Sequence, residues 1–291
     1  MLFIRLPFPF LAHSSRPMRT SRPMRTSTPL LLALLLALAA PGRIAAQSAA
    51  ALGGNDATEE ASAPAPAAAT PKEAPYHVIG RPATMFSRPD STEPYLEVDF
   101  REPLYLLEEN PRWSRVRTAD GAEGYVRSHA ISNVWVHVSK RAQRVYLYKG
   151  TRRLMDAPAD FGYNAFLDKK QRGSQLRRDD WRTPEGTLYI VRKNPNSRFH
   201  RALVLNYPTA ADAARGLEND LITPEQHRRI VEAQEDLDPP PMGTALGGMI
   251  EIHGQGTGKA RNWTRGCVAI HNRDLRKMWN RVEIGTPVVI E

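Results

Sequence analysis

Residues 249–270 read MIEIHGQGTGKARNWTRGCVAI, two short apolar runs joined by a glycine-rich loop. The runs Met249–His253 and Cys267–Ile270 have the length and composition of short strands. Cys267 is the only cysteine of the chain, and it follows His253 by 14 residues (267 − 253). Because adjacent strands lie roughly 5 Å apart, two such strands can bring the histidine and cysteine side chains into contact.

This pair of side chains suits nucleophilic catalysis by a thiol. A thiol attacks as the thiolate, its ordinary pKa is about 8.5, and a neighbouring imidazole can accept the proton. Gly266 directly precedes the cysteine and allows a tight turn that presents backbone N–H groups to an oxyanion. The alternative is an inert cysteine beside a structural histidine, since free cysteine is often buried. The surrounding residues favour catalysis.

The wider sequence resembles the catalytic domain of the L,D-transpeptidases, the YkuD-like domain. Its signature is His-Gly, a spacer, and Ser/Thr-x-Gly-Cys with an apolar residue next, which residues 253–268 match. Residues 182–190 (RTPEGTLYI) are similar to the family's Thr-Pro-x-Gly-x-Phe/Tyr segment. Residues 194–208, which include NPNSRFH and LNYP, are similar to a block of one family branch. The resemblance covers residues 134–291 and rests on the compound motif.

The resemblance implies a fold, a reaction and a set of site residues. The fold is mainly β or α+β, a β-rich catalytic domain with a helical insertion, and the reaction is acyl transfer through a thioester. Cys267 is then the nucleophile and His253 its base, with the Gly254 carbonyl orienting the imidazole. Thr264 is expected to steady the loop. The N–H groups expected to receive the oxyanion are those of Arg265, Gly266 and Cys267.

Two positions near the nucleophile depart from the family pattern. Many members carry a second histidine where Arg265 stands, and arginine or asparagine where Ala269 stands. Arg265 can offer positive charge to a substrate carboxylate. The alanine keeps a hydrolytic alternative open, in which water replaces the amine acceptor and the protein is an L,D-carboxypeptidase or an amidase. A non-catalytic wall-binding protein is the third alternative.

The resemblance also implies the reaction partners. The donor is a peptidoglycan stem peptide, cleaved between an L-centre and D-alanine, and the acceptor is another stem peptide or an envelope protein. No cofactor is required. His253, Cys267 and His271 lack the four ligands and Cys-x-x-Cys spacing of a structural zinc site, so we expect no metal and a structural role for His271. A papain-like protease is excluded because its cysteine precedes its histidine.

The formal charge of +9 does not indicate a nucleic-acid partner, because much of it lies near the N-terminus. Residues 1–47 contain six arginines and no acidic residue. The rest of the chain has 34 basic and 31 acidic residues, which is little charge to attract an anionic polymer.

Residues 1–46 have the pattern of a secretory signal peptide. After a basic region, the apolar run Leu30–Ala40 is shorter than the about 20 residues that span a bilayer. Small residues follow, and we predict cleavage after Ala46; an uncleaved anchor or a buried helix is the alternative. Residues 47–75 are rich in alanine and proline and are predicted to be a disordered linker. The protein is therefore expected in the periplasm or cell envelope, without a membrane span after cleavage.

Residues 76–133 contain short β-type runs separated by turn signals, which is typical of a small barrel. Trp113–Val116, a turn at Asp120-Gly121 and then Glu123–Val126 resemble bacterial SH3 domains. We predict an SH3-like domain at 76–133, which either docks on cell-wall peptide or acts as a structural spacer. The catalytic domain is predicted at 134–291.

Several elements of the catalytic domain follow from local patterns. A hairpin is predicted over Val134–Tyr148 with Lys149-Gly150 as its turn. Strands are predicted at Thr187–Arg192, Ala202–Leu205 and Thr286–Ile290. Helices are predicted at Ala210–Glu218, Pro224–Glu235 and, with Asn272 as its cap, Asp274–Val282.

Three further segments carry weaker signals. Lys169–Arg182 is densely charged and predicts an exposed loop, either a solvated face or a lid beside the site. Gly254–Lys259 lacks the spacing of a phosphate-binding loop and is predicted to be a mobile connection between base and nucleophile. Asp160-Phe161-Gly162 matches a kinase tripeptide by chance, since the other kinase motifs are missing.

Overall fold

Two sheets and a pair of short strands make up most of the computed structural model, which describes residues 75–291 except Arg81. The predicted signal peptide (1–46) and all but the last residue of the predicted linker (47–75) lie outside the described residues. The described part contains sixteen strands and three α-helices, so the predicted mainly β fold class is confirmed. None of its helices combines the length and the apolar character needed to cross a bilayer.

The first seven strands lie within residues 77–132. They are β1 (His77–Val78), β2 (Ala83–Phe86), β3 (Pro94–Val98), β4 (Leu104–Glu108), β5 (Trp113–Thr118), β6 (Glu123–Arg127) and β7 (Ile131–Ser132). A five-stranded sheet has the order β3-β2-β6-β5-β4, and β1 pairs with β7. The sequence pattern does not indicate β2 or β7, because such short runs carry little periodicity. The SH3-like assignment stays a prediction.

The remaining strands form the larger sheet. They are β8 (Val134–Ser139), β9 (Arg144–Lys149), β10 (Arg152–Gly162), β11 (Gly186–Asn194), β12 (Ala202–Leu205), β13 (Glu251–His253), β14 (Asn262–Thr264), β15 (Val268–Ile270) and β16 (Pro287–Ile290). Eight strands follow the order β10-β15-β13-β12-β11-β16-β8-β9, and β9 pairs again with β10, which closes the sheet. β14 adds to β10 from outside this ring.

The first hairpin of this sheet turns earlier than predicted. β8 and β9 pair around residues 140–143, whereas Lys149-Gly150 connects β9 to β10. Gly150 has φ +57, which suits that second turn. The first turn uses Gln143 at φ 52, a conformation that nothing in the local sequence singles out.

Two of the three helices have the predicted bounds. These are α1 (Ala210–Glu218) and α2 (Pro224–Glu235), and a capping box closes the start of each. The third, α3 (Asn272–Trp279), begins two residues earlier and ends three residues earlier than predicted. Asn272 is not its cap, because the Asn272 side chain accepts a hydrogen bond from the Gln255 backbone N–H instead.

Strand β12 is buried on both faces, which explains its uninterrupted apolar sequence. Leu203 and Leu205 belong to the core inside the closed sheet, and Val204 belongs to a second core shared with the first sheet. The rings of Phe100 and Tyr189 meet edge to face there, with centroids 4.9 Å apart. The first sheet therefore supports the outer face of β12, the strand beside β13.

His77 lines a cavity shared by the two sheets and makes stability sensitive to acid. Burial lowers the pKa of His77 to about 4, and among the described residues its Nε2 has no hydrogen-bond partner. The unfolded chain binds this proton near pH 6.5, so lowering the pH from about 6.5 to about 4 favours the unfolded state. This group alone is expected to remove about 3 kcal/mol of the free energy of unfolding over that interval.

Urea unfolding of His77→Leu at pH 7 and pH 4 measures this contribution. The variant should lose less stability on acidification than the wild type, whereas His129→Leu, which changes an exposed histidine, should lose as much as the wild type. Equal acid losses in His77→Leu and the wild type would contradict the expectation.

Candidate active site

The two strands quoted first in the sequence are direct neighbours in the closed sheet. β13 and β15 are parallel, with Ile252 opposite Val268 and His253 opposite Ala269. Cys267 precedes the partner of His253 by two residues, so the two side chains are diagonal neighbours. Such neighbours lie roughly 7–8 Å apart between Cα atoms, within reach of a long side chain. The predicted adjacency of the two strands is confirmed.

Alternation along the strands directs both residues to the outer face of the sheet. Ile252 and Val268 belong to the interior core, so His253 and Cys267, one position away, face outward. On this face Asp160 lies opposite Ala269, which in turn lies opposite His253. One row across three strands therefore joins a carboxylate, an alanine and the imidazole.

The imidazole of His253 is 1% exposed and held in one tautomer. Its Nδ1 lies 2.7 Å from the Gly254 carbonyl oxygen, the contact that the resemblance implied. Since a carbonyl only accepts, Nδ1 carries the proton and Nε2 is left as the acceptor. The ring stacks on Phe199 with centroids 4.2 Å apart. Burial lowers the pKa of His253, so the ring is neutral and basic at pH 7.

The thiol of Cys267 is protonated in the resting structure. The residue is partly exposed, and its S–H donates to the Met249 carbonyl at 3.3 Å rather than to His253. Burial raises the pKa of Cys267 to about 12. The raised thiol pKa and the lowered imidazole pKa both favour the neutral form of each group at pH 7.

The turn before Cys267 requires glycine. Gly266 has φ +127, and a Cβ there would lie 2.5 Å from the Arg182 carbonyl oxygen. Thr264 Oγ1 accepts from the Gly266 N–H at 3.1 Å and donates to the Cys267 carbonyl at 2.7 Å. Thr264 thus has the contacts of a loop-stabilising residue. The Gly266 N–H, one of the three expected oxyanion donors, is therefore already hydrogen-bonded to Thr264.

Arg265 places its own positive charge at the edge of the site. Its side chain is exposed, and its guanidinium lies 5.2 Å from the centre of the Trp181 ring. Stacking on an aromatic face orients the guanidinium and leaves its in-plane N–H donors available.

Asp160 is a site residue that the sequence pattern did not reveal. It is fully buried and accepts hydrogen bonds of 2.6 to 2.8 Å. The donors are the Thr257 N–H and hydroxyl, the Arg261 N–H and the Trp263 Nε1–H. Burial alone raises the pKa of Asp160, but the hydrogen bonds outweigh it and hold the pKa below its ordinary value. The loop between His253 and Cys267, which was predicted to be mobile, is therefore fastened to β10.

The Lys169–Arg182 segment is only partly the exposed loop that was predicted. Lys169 is 3% exposed, and its ammonium donates to the Gln171 and Asp180 carbonyls. Gly162 and Gly266 pack against the backbone at Trp181 and Arg182, which places the end of the segment against the turn before Cys267. The charge density of the sequence hides this, because one buried lysine stands among many solvated charges.

The described residues contain no cluster of metal ligands at this site. Within residues 75–291, no three His, Cys, Asp or Glu side chains are grouped to hold a metal ion. Four cavities of about 300 to 430 Å³ occur on the described surface. Neither Cys267 nor His253 lines any of these four. His271 packs closely under Gly258 of the loop. The site is thus recognised by its side chains.

Comparison with known families assigns the class. Residues 133–290 match the model of the YkuD family, described as the L,D-transpeptidase catalytic domain. The match covers more than half of the chain (290 − 133 + 1 = 158 of 291 residues), so this protein belongs to that family. No curated protein matches the sequence.

The solved structures that match this chain are distant in sequence. An L,D-transpeptidase from Xylanimonas cellulosilytica has 15% identity and a TM-score of 0.34, over 55% of this chain and 61% of that chain. The Bdellovibrio bacteriovorus protein Bd1075 has 19% identity and a TM-score of 0.34, over 55% and 47%. An L,D-transpeptidase from Mycobacterium smegmatis has 14% identity and a TM-score of 0.34, over 75% and 95%. The first two matches thus span less than two thirds of those chains, and family membership rests on the family match.

Proposed function

We propose that this protein is an exported peptidoglycan L,D-transpeptidase with Cys267 as nucleophile and His253 as general base. One observation carries the proposal. The imidazole, fixed by the Gly254 carbonyl with Nε2 as acceptor, lies diagonally across two paired strands from a cysteine that follows a glycine-specific turn. Membership of the family supplies the reaction class.

The first half-reaction forms a thioester. His253 Nε2 takes the thiol proton while Cys267 Sγ attacks the carbonyl carbon between the L-centre and D-alanine of a stem peptide. Because the pKa of the thiol is raised and that of the imidazole lowered, proton transfer accompanies C–S bond formation. The N–H groups of Arg265 and Cys267 stabilise the oxyanion. The C–N bond then breaks, the imidazolium protonates the leaving amine, and D-alanine departs.

The second half-reaction transfers the acyl group. An amine of another stem peptide, or of an envelope protein, attacks the thioester while His253 accepts its proton, and the thiol is regenerated. The Arg265 guanidinium on Trp181 offers a bidentate partner to a substrate carboxylate. No cofactor takes part in either half.

A second candidate keeps the thioester and uses water as acceptor. The observation that favours it is Ala269, which is fully buried between Asp160 and His253 where many family members carry arginine or asparagine. Without that polar side chain the sheet offers one group fewer to hold an amine acceptor. The product would then be a shortened stem peptide or a released protein.

Incubation of the mature protein with purified muropeptides tests these assignments by product mass. A cross-linked dimer supports the transpeptidase, and a shortened stem supports the hydrolytic alternative. Unchanged muropeptides, together with failure of a carbapenem to add its mass at Cys267, would leave only a non-catalytic wall-binding role.

Gly266→Ala should lower the rate of carbapenem acylation by about 100-fold, because the new methyl group displaces the turn from the Arg182 carbonyl and misplaces the sulfur. Intact-protein mass spectrometry measures the rate. Gly121→Ala is the matched control, since Gly121 also has a positive φ (+96) but a Cβ there meets no neighbour within 4 Å. Wild-type acylation by Gly266→Ala would contradict the need for glycine at this turn.

The predicted SH3-like domain (76–133) is proposed to act as a support rather than as a mobile docking module. Its core is continuous with Val191 and Val204 of β11 and β12, and the Gly80 N–H donates to the Ile284 carbonyl. These contacts favour the structural-spacer interpretation of the sequence.

A further inference from the structure

Lys169 is a buried cation whose hydrogen bonding is incomplete. Its ammonium donates to the Gln171 carbonyl at 3.1 Å and the Asp180 carbonyl at 3.4 Å. An ammonium group has three donors and carries a full charge, so two neutral carbonyls leave one donor and the charge uncompensated.

Two other lysines show what a complete structural contact looks like in this chain. Lys140, which is 2% exposed, donates to two carbonyls and to the Glu185 carboxylate at 2.7 Å. Lys193 donates to two carbonyls and to the Glu283 carboxylate at 3.4 Å. Each has three acceptors and a counter-ion. Lys169 has two acceptors, so its third N–H is left over, and no carboxylate is bonded to its ammonium in the described structure.

The surroundings of Lys169 connect it to the nucleophile from two sides. Its Cε and Nζ lie 3.2 and 3.6 Å from where a Cβ on Gly247 would be, two residues before Met249, whose carbonyl accepts the hydrogen bond from the thiol. Its other contact, the Asp180 carbonyl, lies two residues before the Arg182 carbonyl that packs on Gly266. The lysine therefore contacts both the segment that accepts the hydrogen bond from Cys267 and the segment that packs on Gly266.

We propose that Lys169 is a positioning residue whose ammonium is the counter-ion of the Cys267 thiolate as it forms. The inference rests on the proposed nucleophile. Burial lowers the pKa of Lys169 to about 8, and a negative charge on Cys267 opposes that shift; reciprocally, Lys169 lowers the pKa of the thiol. The other charged groups acting on Lys169 are Asp180, Arg172 and Arg182, and those acting on Cys267 are Glu251 and Arg198.

The pH dependence of Cys267 alkylation by iodoacetamide tests this, and the single cysteine makes the signal specific. An opposite charge nearby lowers a thiol pKa by about one unit or more. Lys169→Met should therefore react about tenfold more slowly than the wild type at pH 7. The two rates should converge above about pH 9, because the wild-type lysine is then neutral. Lys169→Arg, which stays charged, should not show this slowing at pH 7.

A purely structural role predicts a different result. Lys169→Met would then differ from the wild type by one factor at every pH, or not at all, and either outcome overturns the proposal. Lys193→Met is the matched control and should follow the wild-type profile. If Lys169→Met does not fold, the pH profile of the wild type alone tests the proposal. The logarithm of its alkylation rate should stop rising between about pH 8 and pH 9. A straight line through this interval would contradict the coupling of Lys169 to Cys267.

Alkylation requires no peptidoglycan, so this result is independent of the proposed function. Muropeptides left unchanged by a protein that shows the pH-dependent lysine effect would refute the transpeptidase assignment and retain the ion pair. Muropeptide cross-linking by a protein that lacks the effect would support the transpeptidase assignment and refute the ion pair.

Discussion

Cys267→Ala is expected to lose turnover of muropeptides by about 10⁴-fold or more, the scale seen when a covalent nucleophile is removed. The alanine has no group that can form the thioester, and the chain contains no second cysteine that could replace it. Product mass after incubation with muropeptides measures turnover, and intact-protein mass after carbapenem treatment measures acylation. Both signals should vanish together.

The fold should survive this change, because the hydrogen bond from the thiol to the Met249 carbonyl, at 3.3 Å, is weak. Circular dichroism and the melting temperature of Cys267→Ala are the matching controls. Cys267→Ser keeps the shape and a hydroxyl donor, and it should also fail to acylate. Residual turnover by a folded Cys267→Ala protein would show that the nucleophile is another residue.

Asp160→Asn is expected to reduce both stability and activity. Four donors converge on the carboxylate, and an amide presents an NH2 group to about half of them. Breaking a buried hydrogen-bonded charge in this way costs about 3 kcal/mol of the free energy of unfolding. The change also removes a partner of Trp263 in β14, whose ring lies beside the imidazole with centroids 6.1 Å apart. The imidazole should then be misplaced, and activity should fall about 100-fold.

Asp156→Asn provides the comparison, because it makes the same change four residues earlier on the same strand. Asp156 is paired with Arg144 and Arg153 near the surface, its side chain is 33% exposed, and such pairs contribute about 0–1 kcal/mol. Urea unfolding and carbapenem acylation of the two variants should separate clearly. Equal, small effects at both positions would remove Asp160 from the site.

Several features of the fold were predictable because their signals are local. Helices α1 and α2 have the predicted bounds, since Thr209 and Thr223 begin them with capping boxes that lie within four residues of chain. Strand β12 was readable as an uninterrupted apolar run. The predicted positions of the first hairpin turn and of the start of α3 were wrong, because what determines them is not local. Gln143 at φ 52 and the Gln255 contact of Asn272 depend on neighbours that the local sequence does not show.

The chemical identities of the site were also present in the sequence. A single cysteine after a glycine, a histidine before a loop and the surrounding motif name Cys267, His253, Gly254, Thr264, Arg265 and Gly266 without coordinates. What these residues do remains a proposal, and the structure adds the states in which they rest. The thiol points to Met249, the imidazole is neutral, and the Gly266 N–H is already engaged.

The sequence by itself determined the family, the bounds of α1 and α2 and the residue types of the candidate site, because each depends on residues close together in the chain. Only the tertiary structure decided that Asp160 fastens a loop about 100 residues away (257 − 160 = 97) and that Lys169 is buried between segments that meet at Gly266 and Met249. A carboxylate or an ammonium is usually solvated, and nothing local distinguishes the one that is not. Which charged side chains are buried, and which partners they meet, depends on distant segments that folding brings together. These buried groups set the charges around the Cys267 sulfur.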